Sequence, residues 1–167
     1  MSRRAGIVAV AVAGALALGA AVGVPSVATA ARADVAAASQ RDDVEGTPYD
    51  DILRGTPRDD RLWAGDGYNK LFGLASDDRL HGGRFRDDMF AGSGRDLLRG
   101  HRGEDLLVPG PGADSVVGGP GHDVVQLAAD GRDDRIDCGE GRDVVRHRDR
   151  TERGDRFMRC ERTVRTG

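Results

Sequence analysis

The sequence predicts an all-β fold, a parallel solenoid of nine-residue units, and three observations lead to this prediction. First, residues 46–126 divide into nine consecutive units of nine residues without an insertion. Second, the sixth residue of each unit carries a side-chain oxygen. These residues are Asp51, Asp60, Asn69, Asp78, Asp87, Asp96, Asp105, Asp114 and Asp123. Third, the eighth residue is apolar. These residues are Leu53, Leu62, Leu71, Leu80, Met89, Leu98, Leu107, Val116 and Val125. One polar and one apolar column at a fixed period are typical of stacked repeats.

Within each unit we number the residues as places one to nine. All 16 glycines of residues 46–126 fall at places one, two or four, and the five prolines fall at one or three. Glycine permits backbone angles closed to other residues, and proline cannot donate to a sheet ladder. The first six places therefore form a turn and the last three a short strand. If two units make one coil, the strands alternate between two parallel sheets, with place eight pointing inward between them.

The chain begins with the pattern of a secretory signal peptide. Arg3 and Arg4 precede an apolar run at 5–24, and a small-residue motif at 28–30 resembles a cleavage site. We expect residues 1–30 to be removed, leaving a secreted chain without a membrane span, and 31–45 to be a flexible leader. The remaining 23 basic and 28 acidic residues contain no basic patch, which argues against nucleic acid as a partner.

The repeat continues less regularly beyond the array. After two extra residues at 127–128, a tenth unit starts at residue 129 and contains Asp134 and Ile136. An eleventh starts at Cys138 and contains Asp143, and 154–157 resemble a vestigial twelfth. Residues 46–146 would therefore form the roll.

Residues 147–167 are rich in arginine and poor in apolar side chains, and we expect them to cap the last coil. The two cysteines, Cys138 and Cys160, most simply form one disulfide in an exported chain. A zinc site with His147 is the alternative, but a fourth ligand is lacking.

The composition of the turns favours calcium. Glycine-rich turns expose backbone carbonyls, and a carboxylate recurs at place six, so stacked turns bring many oxygens together. Calcium accepts six to eight oxygens in flexible geometry, whereas magnesium requires a tight octahedron and zinc prefers nitrogen or sulfur. The pattern therefore predicts several bound calcium ions.

The units at 91–99 and 118–126 read AGSGRDLLR and GGPGHDVVQ. They resemble the RTX, or haemolysin-type, calcium-binding nonapeptide. The resemblance covers residues 46–126 and part of 129–146, and it implies a right-handed parallel β-roll with calcium between turns two units apart. Asp96 with Asp114, and Asp105 with Asp123, would then lie in neighbouring turns. The carboxylate ligands implied are Asp78, Asp87, Asp96, Asp105, Asp114, Asp123 and Asp143. The glycines whose turns would supply carbonyls are Gly92, Gly94, Gly103, Gly110, Gly112, Gly119 and Gly121.

The early units depart from this family pattern. Place four holds Tyr49, Arg58, Ser76 and Phe85 where the family has glycine. Whether the first four units bind metal is therefore left open. The N-terminal signal also differs from the leaderless export common in the family, so that export route is not carried over.

A metal-independent structural or adhesive roll is the alternative. Arginines lie in many turns, and guanidinium groups pair well with carboxylates. Arg58, Arg86, Arg95 and Arg142 are the candidates for neutralising the aspartates in such a roll.

The sequence contains no recognised catalytic grouping, and the repeat occupies most of the mature chain, so we expect a non-enzymatic protein. An outward apolar stripe that includes Phe72, Phe90 and Val108 either stiffens one sheet or contacts a protein partner or a second copy.

Overall fold

The fold was obtained as a computed structural model that describes residues 33–35, 43–147 and 154–165. The expected signal peptide at 1–30 lies outside these residues. Across the part of the chain that is described, no helix is long and apolar enough to cross a membrane.

The described residues form fifteen short strands and no helix. The strands are β1 (Ala33–Val35), β2 (Asp43–Glu45), β3 (Asp51–Arg54), β4 (Arg61–Trp63), β5 (Lys70–Ala75), β6 (Arg79–His81), β7 (Asp88–Ser93), β8 (Leu97–Arg99), β9 (Leu106–Val108), β10 (Ser115–Gly121), β11 (Val124–Leu127), β12 (Arg135–Gly141), β13 (Val144–His147), β14 (Arg156–Met158) and β15 (Arg162–Arg165).

The strands alternate between two parallel sheets, as the sequence predicts. The odd-numbered strands form an eight-stranded sheet in chain order, and the even-numbered strands form a seven-stranded sheet. Strands that neighbour each other in a sheet are offset by one coil of 18 residues, so that Leu53 pairs with Leu71. Across the two extra residues at 127–128 the offset becomes 20, and Val116 pairs with Ile136. The all-β roll predicted from the nine-residue period is therefore confirmed.

The core is the column of place-eight side chains, which extend from both sheets into the space between them. Each of these side chains is at most 5% exposed. The column consists of Val44, Leu53, Leu62, Leu71, Leu80, Met89, Leu98, Leu107, Val116, Val125, Ile136 and Val145. Leu127, the first inserted residue, is also buried and packs in the same cluster. The insertion therefore adds an apolar side chain to the core without shifting the column.

Four strands are at least twice as long as the three residues that the sequence predicts. β5, β7, β10 and β12 contain six or seven residues each and extend into the following turn. In β10 and β12 the turn residues are themselves paired, with Gly119 opposite Gly139. Turns of equal shape stack closely enough to continue the hydrogen-bond ladder, a property of the assembled coil that a single unit does not reveal.

The sheets extend beyond residues 46–146 at both ends. β1 and β2, which lie within 31–45, pair with β3 and β4 respectively. At the other end, β14 and β15 pair with β12 and β13. Cys138 and Cys160 form the expected disulfide, with their Cα atoms 5.1 Å apart. The bond links the buried end of β12 to the segment after β14.

The outer apolar stripe contains an aromatic pair. Phe72 on β5 and Phe90 on β7 are directly paired residues whose rings stack with centroids 5.3 Å apart and planes 9° apart. Both rings are half-buried. Their contact is a cross-strand pair that stiffens the odd-numbered sheet.

Candidate metal site

The place-six side chains lie in two columns, one at each edge of the roll. Each place-six residue lies at the end of a turn, immediately before a strand or at its first position. Because successive strands alternate between the two sheets, the place-six residues of odd-numbered units lie at one edge and those of even-numbered units at the other. We call the columns the odd edge and the even edge. The odd edge contains Asp51, Asn69, Asp87, Asp105, Asp123 and Asp143. The even edge contains Asp60, Asp78, Asp96, Asp114 and Asp134. All of these side chains are at most 3% exposed.

One oxygen of each side chain has a structural role along the column. Asp114 Oδ1 accepts a hydrogen bond from the backbone N–H of Asp96 at 2.8 Å, and Asp123 Oδ1 accepts one from Asp105 at 2.9 Å. The same bond joins the other neighbours on both edges. The columns end at Asp155 and Glu161, which accept from Asp134 and Asp143. The two pairs expected in neighbouring turns are therefore adjacent.

The second oxygen, Oδ2, has no hydrogen-bond partner in six of these residues although it is buried. The six are Asp78, Asp96, Asp105, Asp114, Asp123 and Asp143. We call them the open aspartates. A buried polar atom without a partner costs free energy, and most such atoms in folded proteins are satisfied by protein, water or an ion. Two columns of open, anionic oxygens therefore indicate cation sites.

In three other turns the protein itself satisfies Oδ2. The backbone N–H and hydroxyl of Thr47 donate to Asp51 Oδ2 at 2.5 and 3.0 Å. Thr56 makes the same two bonds to Asp60. The backbone N–H of Gly83 donates to Asp87 Oδ2 at 2.6 Å. We call Asp51, Asp60 and Asp87 the closed aspartates.

Asn69 is neutral and satisfies its turn in another way. Its Oδ1 accepts from Asp51, while its Nδ2 donates to the carbonyls of Asp66 and Gly67 at 3.4 and 3.1 Å. The amide N–H₂ of Asn69 thus donates to turn carbonyls that could otherwise bind a cation. Because the side chain is also neutral, this turn has no negative charge for a metal to neutralise.

Backbone carbonyls lie beside the open oxygens. A Cβ placed on Gly118 would be 2.4 Å from Asp123 Oδ2 and 2.2 Å from the carbonyl oxygen of Cys138, one coil further on. On Gly100 it would be 2.3 Å from Asp105 Oδ2 and 2.8 Å from the Gly118 carbonyl. Gly100 and Gly118 therefore leave no room for a Cβ, and each lies between a carboxylate oxygen and a carbonyl oxygen.

The expected glycine turns are stacked in register as well. A Cβ on Gly112 would lie 1.6 Å from the carbonyl oxygen of Gly94, and one on Gly110 would lie 2.0 Å from that of Gly92. Gly119, Gly121 and Gly103 make the corresponding close approaches on the odd edge. The turns thus stack through bare backbone, which places their carbonyls in columns parallel to the aspartates.

Burial raises the pKa of the open carboxyls above their ordinary value. Desolvation is the main cause throughout, and it brings the pKa of Asp105 to about 8, of Asp78, Asp114 and Asp123 to about 7, and of Asp96 to about 6. Neighbouring carboxylates add to this effect, as Asp123 and Asp87 do for Asp105. Without a cation, the fold thus shifts the open carboxyls toward their neutral acid form. Their ionised form therefore needs a positive charge nearby to neutralise it.

Ion pairs do not fill this role at the open aspartates. Arg86 pairs with Asp88 at 3.3 Å, and Arg84 lies 3.7 Å from Asp66. Lys70 also pairs with Asp88, and Arg159 pairs with Asp137. These carboxylates lie at places three, seven and nine, outside the two columns.

The available donors therefore fit calcium. Each open turn offers a carboxylate oxygen and backbone carbonyls, all hard oxygen ligands of the kind that calcium accepts in flexible number. Among the described residues no group of three or more His, Cys, Asp or Glu side chains converges on one point. A site here would therefore depend on carbonyls and on oxygens from successive turns.

Comparison with known proteins decides the family. A family model described as the RTX calcium-binding nonapeptide repeat (4 copies) matches residues 45–80, 54–89, 81–116, 90–125 and 109–145. The chain belongs to the RTX family. Membership implies calcium binding by the repeat, and RTX repeat proteins are typically secreted. Searches of curated proteins and of solved structures found no match.

Sequence reasoning missed the residues that close the RTX turns. Thr47 and Thr56 stand in identical Gly-Thr-Pro tripeptides, each four residues before an aspartate. A threonine at that spacing donates from both its amide and its hydroxyl, so the tripeptide was a usable signal. Closure by Gly83 has no signal at place two, because glycine occurs there in open turns as well. Its turn has Phe85 at place four, where five of the six open turns have glycine.

Proposed function

We propose that this RTX protein is an extracellular, non-enzymatic calcium-binding protein that holds several ions between the stacked turns of its roll. The observation that carries the proposal is the set of six buried Oδ2 atoms without a hydrogen-bond partner. Calcium would supply positive charge to these oxygens and to the neighbouring carbonyls. The carboxylate ligands along the even edge would be Asp78, Asp96 and Asp114. Those along the odd edge would be Asp105, Asp123 and Asp143.

The residues of the chain prepare these sites before an ion arrives. The Oδ1 bond to the preceding coil fixes each carboxylate, so that only Oδ2 is left for a cation. Tight stacking of glycine turns holds the carbonyls in columns and excludes side chains from them. Little ordering would then be needed on binding to the folded roll, and binding would stabilise the fold by RT ln(1 + [Ca]/Kd) for each independent site.

Asp87 belongs to the ligands that the family pattern implies, although its Oδ2 already accepts from Gly83. We place it second to the open aspartates for that reason. The metal-independent roll has less support, because the ion pairs Arg86–Asp88 and Arg159–Asp137 use carboxylates outside the two edges.

The test is a calcium titration of the purified chain from about 1 µM to 10 mM, a range that spans intracellular sensor and extracellular site affinities. Far-ultraviolet circular dichroism follows β structure, and equilibrium dialysis with metal analysis counts bound ions. Magnesium is the control cation. Several bound calcium ions are expected, together with a gain of β signal from whatever fraction of the calcium-free chain is unfolded. A full β spectrum without calcium, unchanged by the ion, together with no bound metal would refute the proposal.

A matched pair of variants locates the ions. Asp123→Asn keeps the Oδ1 acceptor, as Asn69 does in the native roll, but removes the charge at the open oxygen. We expect its calcium midpoint to rise by about tenfold or more, since affinity follows ligand charge. Asp88→Asn removes an outer carboxylate of the same sheet and should leave the midpoint unchanged. Equal effects of the two substitutions would show that only net charge matters.

A further inference from the structure

The open and closed aspartates differ in the backbone conformation at place two of their turns. They differ at place four as well, which is Tyr49, Arg58 or Phe85 in the closed turns and glycine or Ser76 in the open turns. In all six open turns the place-two residue has a positive φ, between 73° and 121°. These residues are Leu74, Gly92, His101, Gly110, Gly119 and Gly139. In the three closed turns the place-two residue is Thr47, Thr56 or Gly83, and none of them has a positive φ. The sorting has no exception among these nine turns.

The geometry explains the sorting. In a closed turn the place-two N–H points into its own turn and donates to Oδ2 at 2.5 to 2.6 Å. In the open turn at 91–99 the N–H of Gly92 points to the next coil and donates to the carbonyl of Pro109 at 3.0 Å. One amide therefore makes one bond or the other, and its choice decides whether the carboxylate is left for a cation.

We propose that place two determines which turns take calcium, and that Thr47 and Thr56 keep the first two turns permanently metal-free. The inference rests on the proposed function and deepens it by naming the residues that select among the sites. A positive φ leaves the carboxylate open for an ion, whereas the closed conformation supplies an N–H donor in place of the ion.

Threonine can hold the closed state because of its side chain and its neighbour. A β-branched residue strongly disfavours positive φ, and a residue before proline is restricted to extended conformations. Proline alone does not close a turn, because Gly110 and Gly119 also precede prolines and have φ values of +98° and +121°. The turns at 46–48 and 118–120 read Gly-Thr-Pro and Gly-Gly-Pro, so they differ only at place two.

Gly83 closes its turn without this restriction. Glycine adopts either sign of φ, so the fifth turn is free to open when calcium competes for Asp87. The first three turns are different: Asp51 and Asp60 are held by threonine, and Asn69 carries no charge. Calcium therefore acts on the part of the roll that begins with the turn of Asp78.

Exchange of the two tripeptides tests the inference. Gly119→Thr puts a β-branched residue at φ +121°, which disfavours the open conformation and favours closure on Asp123. A Cβ at place two also meets the carbonyl of the preceding coil in both conformations, at 1.9 Å from His101 for the open Gly119 and 1.7 Å from Gly65 for the closed Gly83, so the coil must shift to admit the side chain. Thr56→Gly releases the turn of Asp60, whose neighbour along the even edge is the open Asp78. Thr56→Val is the matched control, because it keeps β-branching and the backbone N–H and removes only the hydroxyl.

Bound calcium per chain is counted by equilibrium dialysis for each full-length variant, with circular dichroism to confirm β structure. Gly119→Thr is expected to bind at least one ion fewer than the parent chain, Thr56→Gly one ion more, and Thr56→Val the same number. If Gly119→Thr does not fold, the Thr56 pair decides. If Gly119→Thr and Thr56→Gly bind the same number of calcium ions as the parent chain, and the parent chain binds calcium normally, this inference is overturned and the proposed function stands. A parent chain that binds no calcium overturns the proposed function and this inference with it.

Discussion

Acidifying the calcium-free chain is expected to stabilise the roll, the reverse of the usual behaviour of a protein rich in carboxylates. Burial raises the pKa of Asp105 to about 8 and of Asp78, Asp114 and Asp123 to about 7, from an ordinary value of 3.8. At a pH between 3.8 and these raised pKa values, these four carboxyls bind more protons in the folded chain than in the unfolded chain. Their contribution to stability is therefore greatest below about pH 4 and is lost as the pH rises from about 4 to about 8.

The slope follows from the number of protons taken up on folding. Each carboxyl that is protonated in the folded chain and ionised in the unfolded chain contributes about 1.4 kcal/mol per pH unit. Because neighbouring aspartates titrate together, these four groups contribute at most roughly four times this slope. Asp87 and Asp96, whose pKa values burial raises to about 6, add to the slope below that pH. Saturating calcium reverses the sign, since the ion requires ionised carboxylates and binds more weakly as they protonate.

The assay is urea unfolding at pH 5, 6, 7 and 8, followed by circular dichroism, with calcium removed by dialysis and again with 10 mM calcium. We expect the calcium-free midpoint to fall with rising pH and the calcium-loaded midpoint to rise. Asp105→Asn should flatten the calcium-free slope, whereas Asp88→Asn should leave it unchanged. A calcium-free midpoint that is constant or rises from pH 5 to 8 would refute the argument that the open aspartates are desolvated.

Three further perturbations test the packing of the roll by thermal or urea unfolding. Leu107→Ala should destabilise by about 2 to 5 kcal/mol, because the side chain is fully buried in the apolar column; a loss below about 1 kcal/mol would contradict that packing. His101→Gly should stabilise by roughly 0.5 to 1 kcal/mol, since an exposed side chain is removed from a position with φ of 73°. The ring of His101 also stacks on that of His81, with centroids 5.7 Å apart, and a loss of stability would show that this contact outweighs the backbone strain. Reducing the Cys138–Cys160 disulfide, which spans 22 residues, should cost about 3 kcal/mol, and unchanged unfolding of the last coil would argue against its role as a clamp.

Most of the fold was predictable because each nine-residue unit repeats the same pattern of turn, polar and apolar residues. Place eight is apolar in every unit, so Leu53 and Val125 are assigned to the core by the same argument, and both are fully buried. The period of 18 residues between paired strands follows from placing alternate strands in opposite sheets. The long strands β10 and β12 were not predictable, because they depend on pairing between turns that the sequence of one unit does not describe.

The candidate site was predictable by column but not by turn. The sequence identifies the place-six carboxylates, yet place two alone does not separate Asp87, which is closed, from Asp123, which is open. Both turns begin with Gly-Gly, and they differ at place four, where Phe85 and Gly121 lie. The direction of the place-two N–H, which glycine leaves undetermined, is fixed in the stacked structure. Where threonine occupies place two, the direction of the backbone N–H can be predicted from the sequence.

The two oxygens of each place-six side chain have separate roles, and this separation explains which substitutions the columns accept. One side-chain oxygen joins successive coils, Oδ1 in Asp and Asn and Oε2 in Glu161, so Asn69 and Glu161 maintain the same ladder as the aspartates. Oδ2 carries the charge, and the chain either donates to it, as Thr47 does, or leaves it open. Replacing an open aspartate by asparagine should therefore remove a calcium ligand and preserve the ladder. Replacing it by alanine should remove both, leaving a buried N–H of the preceding coil without an acceptor at a cost of about 1 to 3 kcal/mol. A comparison of Asp114→Asn with Asp114→Ala in calcium-free urea unfolding separates these roles, and equal stabilities would show that the ladder bond contributes nothing.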